Sequence, residues 1–214
     1  MSAAADAPPP PGALPAVGVL ISGRGSNLQS LIDAIAAGRL RARIAVVISN
    51  RADAPGLQRA AAAAIETLVM SHRDAPSRPA YDEMLVDALK ARGVSFVCLA
   101  GFMRLLGPVF CDAFPGRIVN VHPSILPAFP GVDAQSQALA AGVTVSGATV
   151  HLVTPELDAG PIVLQAAVPV HAGDSAETLS ARILVEEHRI LPEAVQLLLS
   201  GRCRVEQGRV VMAT

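Results

Sequence analysis

Apolar residues along this chain come in short bursts whose period switches from strand to helix and back. Ala16-Val17-Gly18-Val19-Leu20-Ile21 is continuously apolar and ends in Ser22-Gly23-Arg24-Gly25-Ser26-Asn27, after which Leu28, Leu31, Ile32 and Ile35 recur at helical spacing. The run reads as a buried strand, and the change of period across the glycine turn as a strand feeding a helix. The same unit recurs. A strand from Ile44 to Ile48 ends at Ser49-Asn50, an alanine-rich helix covers Leu57 to Ala64, and a third strand falls near Thr67-Leu68-Val69-Met70. Strands that alternate with helices predict a parallel α/β sheet, since parallel neighbours are joined by crossover segments.

Pro76 and Ser77 open a long helix with Tyr81, Met84, Leu85 and Leu89 on one face, ending near Gly93. Ser95 to Ala100 is the fourth strand. A short helix from Val109 to Phe114 leads into a strand from Arg117 to His122. Beyond it the rhythm changes: Pro123, Pro127, Pro130 and Gly131 mark an irregular segment, and a short helix lies around Gln137-Ala138-Leu139. Two strands, Gly147 to Val153 and Ile162 to Val170, then follow with only the acidic, glycine-bearing loop Thr154 to Pro161 between them. A final helix, Ser175 to Leu199, carries Leu179, Ile183, Leu191, Val195 and Leu198 at core spacing despite Pro192. A hairpin of Arg204-Val205 against Val210-Val211, turning at Gln207-Gly208, ends the chain. The predicted fold is α/β: an open, mostly parallel twisted sheet with helices on both faces, Rossmann-like, with antiparallel additions in the C-terminal half.

Composition narrows the classes of function. The chain has 214 residues, which suits one larger domain, expected over residues 16–214. Hydrophobic residues make up 51% of it, but no run reaches the ~20 apolar residues of a membrane helix, so no membrane partner is expected. With 17 basic and 18 acidic residues there is no basic excess to bind nucleic acid, and an anionic ligand must be small and locally held. Met1 to Pro15 is Ala/Pro-rich without the basic start of a secretory signal and reads as a disordered tail. Cys98, Cys111 and Cys203 match neither a metal-site nor a disulfide spacing, as expected of reduced thiols in a cytoplasmic protein. No metal is expected, and monomer and homodimer both remain open.

Candidate chemistry centres on Asn120-Val121-His122. Side chains on a strand repeat every second residue, so Asn120 and His122 share a face, at the carboxyl end of a strand where open α/β sheets bind ligands. Such a pair either addresses a reacting atom or satisfies loop backbone groups. Asp158, in the acidic loop, is the available carboxylate to keep His122 charged. His151 reads as a core or edge histidine, and His72 and His171 lie in turn-like contexts. The turn Gly23-Arg24-Gly25-Ser26-Asn27 puts backbone N–H groups at a helix start that can hold a phosphate; the alternative is a plain turn with Ser26 or Asn27 as helix cap. It is not a dinucleotide fingerprint, because Leu28 stands where the third glycine would be. There is no Gly-x-Ser-x-Gly elbow, no His-Glu-x-x-His and no cysteine at a strand-to-helix turn. An amide, an imidazole and a carboxylate remain, a set able to stabilise an oxyanion and carry a proton while two bound substrates react directly.

Four motifs in order carry a resemblance: Ile21 to Leu28, Leu99-Ala100-Gly101-Phe102-Met103-Arg104, Asn120 to Pro127, and His151 to Pro161. From about Val17 to Leu199 the chain resembles the folate-dependent phosphoribosylglycinamide formyltransferases, or GAR transformylases, of the formyltransferase family. The resemblance implies that Asn120, His122 and Asp158 are catalytic. It implies that Gly25, Ser26 and Asn27 hold the phosphate of the ribonucleotide GAR, with Glu187 near its glycinamide end. Arg78, Met103, Arg104, Leu105 and Leu106, with Asn120, would bind the co-substrate 10-formyltetrahydrofolate. Without the resemblance, Met103 to Leu106 reads as helix-entry core. Many relatives have a lysine and a His-x-His where this chain has Ala128, Asp133 and Gln135, which puts loop details in question rather than the reaction. A formyltetrahydrofolate deformylase would use the same trio on water but carry a regulatory domain before the sheet. A methionyl-tRNA formyltransferase would need an RNA-binding extension. A nucleotide-binding dehydrogenase rests on the glycine turn alone, and a non-catalytic ligand-binding module is the remaining alternative.

Overall fold

The structure is a computed structural model and describes residues 13–213. The tail expected over residues 1–15 lies outside them as far as residue 12. Its elements are β1 (Ala16–Ile21), α1 (Ser26–Ala36), β2 (Arg43–Ser49), α2 (Gly56–Ala62), β3 (Thr67–Val69), α3 (Arg78–Lys90), β4 (Phe96–Leu99), α4 (Pro108–Ala113), β5 (Ile118–His122), α5 (Ala134–Ala140), β6 (Val145–Leu152), β7 (Ile162–Pro169), α6 (Ala176–Leu199), β8 (Cys203–Glu206) and β9 (Arg209–Met212). The main sheet has strand order β3-β2-β1-β4-β5-β6-β7, and β8 and β9 form a separate hairpin. This is the predicted α/β sheet with antiparallel strands at its C-terminal end. The residues cluster into two compact units, one ending at Ile118 and one beginning at Val119.

In the first unit β1 pairs in parallel with β2 and β4, and β2 with β3. Every residue of β1 is buried, as a strand covered on both faces requires. Helix α3 starts at Ser77, whose Oγ accepts a hydrogen bond from the Ala80 N–H at 3.3 Å, the usual cap for otherwise unpaired helix donors. Its buried arc comprises Tyr81, Asp82, Leu85, Val86 and Leu89. Met84, expected on the core face, is exposed because that arc is rotated toward Asp82 and Val86. A Cβ on Gly18 of β1 would lie 2.4 Å from Leu89 Cδ2, so the glycine lets α3 approach the strand closely. Burying each such leucine is worth about 1.5–3 kcal/mol.

In the second unit β5 and β6 are antiparallel, which sets Asn120 opposite His151 and His122 opposite Thr149. β6 and β7 are antiparallel too. Helix α6 packs on both, and its Leu179, Ile183, Leu191 and Val195 are buried. It starts with a capping box of Ser175 and Thr178. Just before it, Asp174 pairs with Arg182 and accepts from the His171 N–H and the Thr178 hydroxyl, which together hold its carboxyl far below the usual range. Among the described residues no helix is long and apolar enough to cross a membrane.

Candidate active site

Of the three side chains proposed from the sequence, His122 and Asp158 pair directly in the second unit, and Asn120 is joined to Asp158 through His151. Asp158 Oδ2 accepts the Gly131 N–H at 2.8 Å and lies 3.4 Å from His122 Nδ1. The other ring nitrogen, His122 Nε2, is 2.8 Å from the Phe129 carbonyl oxygen. With an acceptor at each nitrogen, imidazolium is the form that satisfies both contacts. The pair is buried, its side chains 6% and 9% exposed. Burial pushes the Asp158 carboxyl up, but the His151 ring, the Gly131 N–H and the charge of His122 outweigh it and hold the group below the usual carboxylate range.

His151 is the residue that sequence reasoning missed. Read there as a core or edge histidine, it is buried as that reading expects, and it also contacts Asn120 and Asp158. Its Nδ1 is 3.0 Å from the Leu152 carbonyl, which can only accept, so Nδ1 carries a proton. Its Nε2 then faces Asn120 Nδ2 at 3.2 Å and Asp158 Oδ1 at 3.6 Å. The shorter contact joins the ring to the Asn120 amide and the longer one to the Asp158 carboxylate. One amide N–H of Asn120 is thereby engaged. A ring protonated at Nε2 would turn to Asp158. The signal in the sequence was weak: His151 stands in the motif that carries Asp158, but only the β5–β6 register sets it opposite Asn120.

Local backbone explains how these groups are aimed. Asp158 sits at φ 50° and Phe129 at φ 56°, the left-handed region that costs an L-residue about 1–2 kcal/mol. Gly160 allows the acidic loop to lie against β6, since a Cβ there would come 1.8 Å from the Leu152 carbonyl oxygen. The Leu152 N–H donates to the Pro161 carbonyl at 2.8 Å, which closes the loop. On the other side Thr149 pins the segment after His122: its Oγ1 donates to the Ser124 carbonyl at 2.7 Å and accepts from the Leu126 N–H at 3.0 Å. Glu187, on α6 in the same unit, is buried.

The remaining candidates belong to the first unit. Gly25 is the N-cap of α1 in the left-handed region, and no side chain caps the helix. Ser26 and Asn27 are therefore inside the helix, and neither caps it as the plain-turn reading supposed. The Gly-x-Gly spacing serves a close approach: a Cβ on Gly25 would lie 2.5 Å from Gly56 Cα, and the Gly56 N–H donates to the Gly23 carbonyl at 3.0 Å. Arg78 is the exposed first residue of α3. Met103, Arg104 and Leu105 are exposed in an irregular segment, and Leu106 is buried.

Residues 16–195 match the formyl transferase family. The chain is a formyl transferase family member. It is 54% identical over 190 residues to the trifunctional purine biosynthetic protein adenosine-3 of Drosophila pseudoobscura pseudoobscura, a match over 88% of this chain and 14% of that protein. To the phosphoribosylglycinamide formyltransferase of Escherichia coli (strain K12) it is 44% identical, over 89% of this chain and 90% of that protein. The crystal structure of glycinamide ribonucleotide transformylase 1 from Symbiobacterium toebii superposes with a TM-score of 0.93 at 54% identity, over 95% of this chain and 96% of that one. This formyl transferase thus spans about a seventh of the trifunctional relative (14%) and nearly the whole of the bacterial ones.

Proposed function

We propose that the chain transfers the formyl group of 10-formyltetrahydrofolate to the amine of 5-phosphoribosylglycinamide, giving formyl-GAR and tetrahydrofolate in de novo purine biosynthesis. The observation that carries this reading is the buried Asp158–His122 pair beside Asn120, in a family member similar over most of its length to proteins named for that reaction. The amine nitrogen attacks the formyl carbon and a C–N bond forms. The carbonyl oxygen gains negative charge. The second N–H of the Asn120 amide and the His122 imidazolium stabilise it, His122 exchanging the Phe129 carbonyl for the oxyanion. The bond from the formyl carbon to the folate nitrogen then breaks, and the proton lost by the amine reaches that nitrogen with help from Asp158.

Residues 16–214 work as one formyltransferase domain, in the cytoplasm, as monomer or homodimer. In this reading Gly25, Ser26 and Asn27 hold the ribonucleotide phosphate with backbone N–H groups at the start of α1, and Glu187 serves the glycinamide end. Arg78 and Met103 to Leu106 take the folate, and no metal takes part. The test is to supply 10-formyltetrahydrofolate with and without the ribonucleotide and to follow folate release. Release that requires the ribonucleotide is expected, falling at least about 10²-fold in His122→Ala. Equal release without it would overturn the reading in favour of transfer to water.

A further inference from the structure

The segment from Met103 to Leu106 has no helix or strand of its own, yet both of its ends are held by buried side chains. At one end the Met103 N–H donates to Ser22 Oγ at 2.8 Å, and that hydroxyl donates to Asn50 Oδ1 at 2.6 Å. At the other end the Gly107 N–H donates to Asp82 Oδ2 at 2.7 Å. Ser22 is 5% exposed and Asp82 1%. The fit at Gly107 is close, since a Cβ there would lie 2.8 Å from the same Asp82 oxygen. Asp82 Oδ1 has no hydrogen-bond partner. Burying a carboxylate for one N–H and the nearby charge of Arg78 is an expensive way to fill space. An apolar side chain at that position of α3 would pack at lower cost, so packing alone does not account for the acid. Its direct consequence is to fix one end of an exposed strap whose other end Ser22 fixes.

We propose that Asp82 and Ser22 are positioning residues for the formyl donor, clamping the two ends of Met103–Leu106 so that its backbone is set in place before the folate arrives. The proposal rests on the reading that this segment takes the folate. A preformed backbone binds more tightly because less ordering is left to be done on binding. The clamp therefore acts on folate affinity and leaves the ribonucleotide alone.

The experiment measures three things in Asp82→Ala, Asp82→Asn and Ser22→Ala: tetrahydrofolate affinity by calorimetry, the two KM values, and the melting temperature. Asp82→Ala should weaken folate binding about tenfold, the usual effect of losing a hydrogen bond to a charged acceptor, with ribonucleotide KM within about twofold. Asp82→Asn keeps an acceptor oxygen and should recover most of the affinity, whereas a purely structural role would lower both affinities together. Ser22→Ala should repeat the selective loss from the other end, which keeps the test open if Asp82→Ala does not fold. Unchanged folate affinity in both alanine variants, or equal loss for both substrates, would overturn the clamp. Leu105→Asp, within the strap, separates the two ideas. If it weakens folate binding while the anchor variants do not, the clamp alone fails; if it does not, the folate reading of the strap fails and the clamp with it.

Discussion

Gly160→Ala tests how the acidic loop aims its carboxylate, because the residue has no side chain of its own and lies two positions from Asp158. Its added Cβ would sit 1.8 Å from the Leu152 carbonyl oxygen and 3.3 Å from Thr154 Cγ2. The first distance must open to at least ~3.0 Å, so the loop or the end of β6 has to shift by ~1.2 Å. The contact from the Leu152 N–H to the Pro161 carbonyl resists movement of β6 and directs the shift into the loop. Carried to Asp158, the shift stretches the 3.4 Å contact to His122 Nδ1 to about 4.6 Å. At an effective dielectric of ~20 that loses about 1.3 kcal/mol, close to tenfold. Misaiming of the imidazole brings the expected fall in kcat to roughly 10²-fold, the usual cost of a 1 Å misplacement. Initial rates at saturating substrates, read beside melting curves, check this, with Ala159→Gly at the exposed neighbour as a control expected to keep most activity. A folded Gly160→Ala protein with kcat within about threefold of the parent would refute the claim that this glycine aims Asp158.

His151→Phe should lower kcat about tenfold with little change in either KM, because the Asn120 amide loses the acceptor that orients it; unchanged kcat would show that Asn120 is held without it. Ser26→Asp places a carboxylate where the ribonucleotide phosphate is proposed to bind and should raise ribonucleotide KM at least about tenfold; an unchanged KM would locate the phosphate elsewhere. The buried carboxylates should respond to acid in opposite senses. Asp158 is held below its usual pKa, so its contribution to stability is complete above the unfolded value of about 3.9 and is lost as pH falls through the lower folded value. The melting advantage of the parent over Asp158→Asn should therefore shrink below about pH 4, and a gap unchanged down to pH 2 would contradict the assignment. Asp82 is pushed up by burial against the Gly107 N–H and Arg78, so its ionisation opposes folding as pH rises. Asp82→Asn should gain stability relative to the parent between about pH 4 and pH 7; a gain that falls over that range would reverse the sign.

Period and punctuation made most of this fold legible. A fully apolar β1 followed by a glycine turn and a 3.6-residue repeat has few competing solutions, and the observed elements fall in the predicted order. The errors share one cause. Met84 was assigned by spacing, but the choice between arcs of an amphipathic helix depends on what packs against it, and α3 turns Asp82 and Val86 inward. Ser26 and Asn27 were candidate caps by residue type, but Gly25 takes the cap position because Gly56 approaches too closely for a side chain there. His151 was passed over because its partner Asn120 is 31 residues away, and only antiparallel register joins them. Local sequence speaks to period and propensity, and it is silent on which distant backbone comes close.

Much of the site is set by backbone groups. The Gly131 N–H, the Phe129 carbonyl and the Leu152 carbonyl each hold a member of the Asp158, His122 and His151 cluster. Gly131 and Phe129 are in the left-handed region, at φ 81° and 56°, as is Asp158 itself. A bulky aromatic residue does not take that conformation without outside constraint. The constraint is visible: Thr149 anchors Ser124 and Leu126, the Ser124 hydroxyl bonds the Ala128 carbonyl, and Pro123, Pro127 and Pro130 restrict the same stretch and reduce the entropy it loses on folding. The prolines after His122 thus help shape the backbone around its ring. They help keep the Phe129 carbonyl oxygen on one side of the imidazole while Asp158 occupies the other, so the ring is held from both sides.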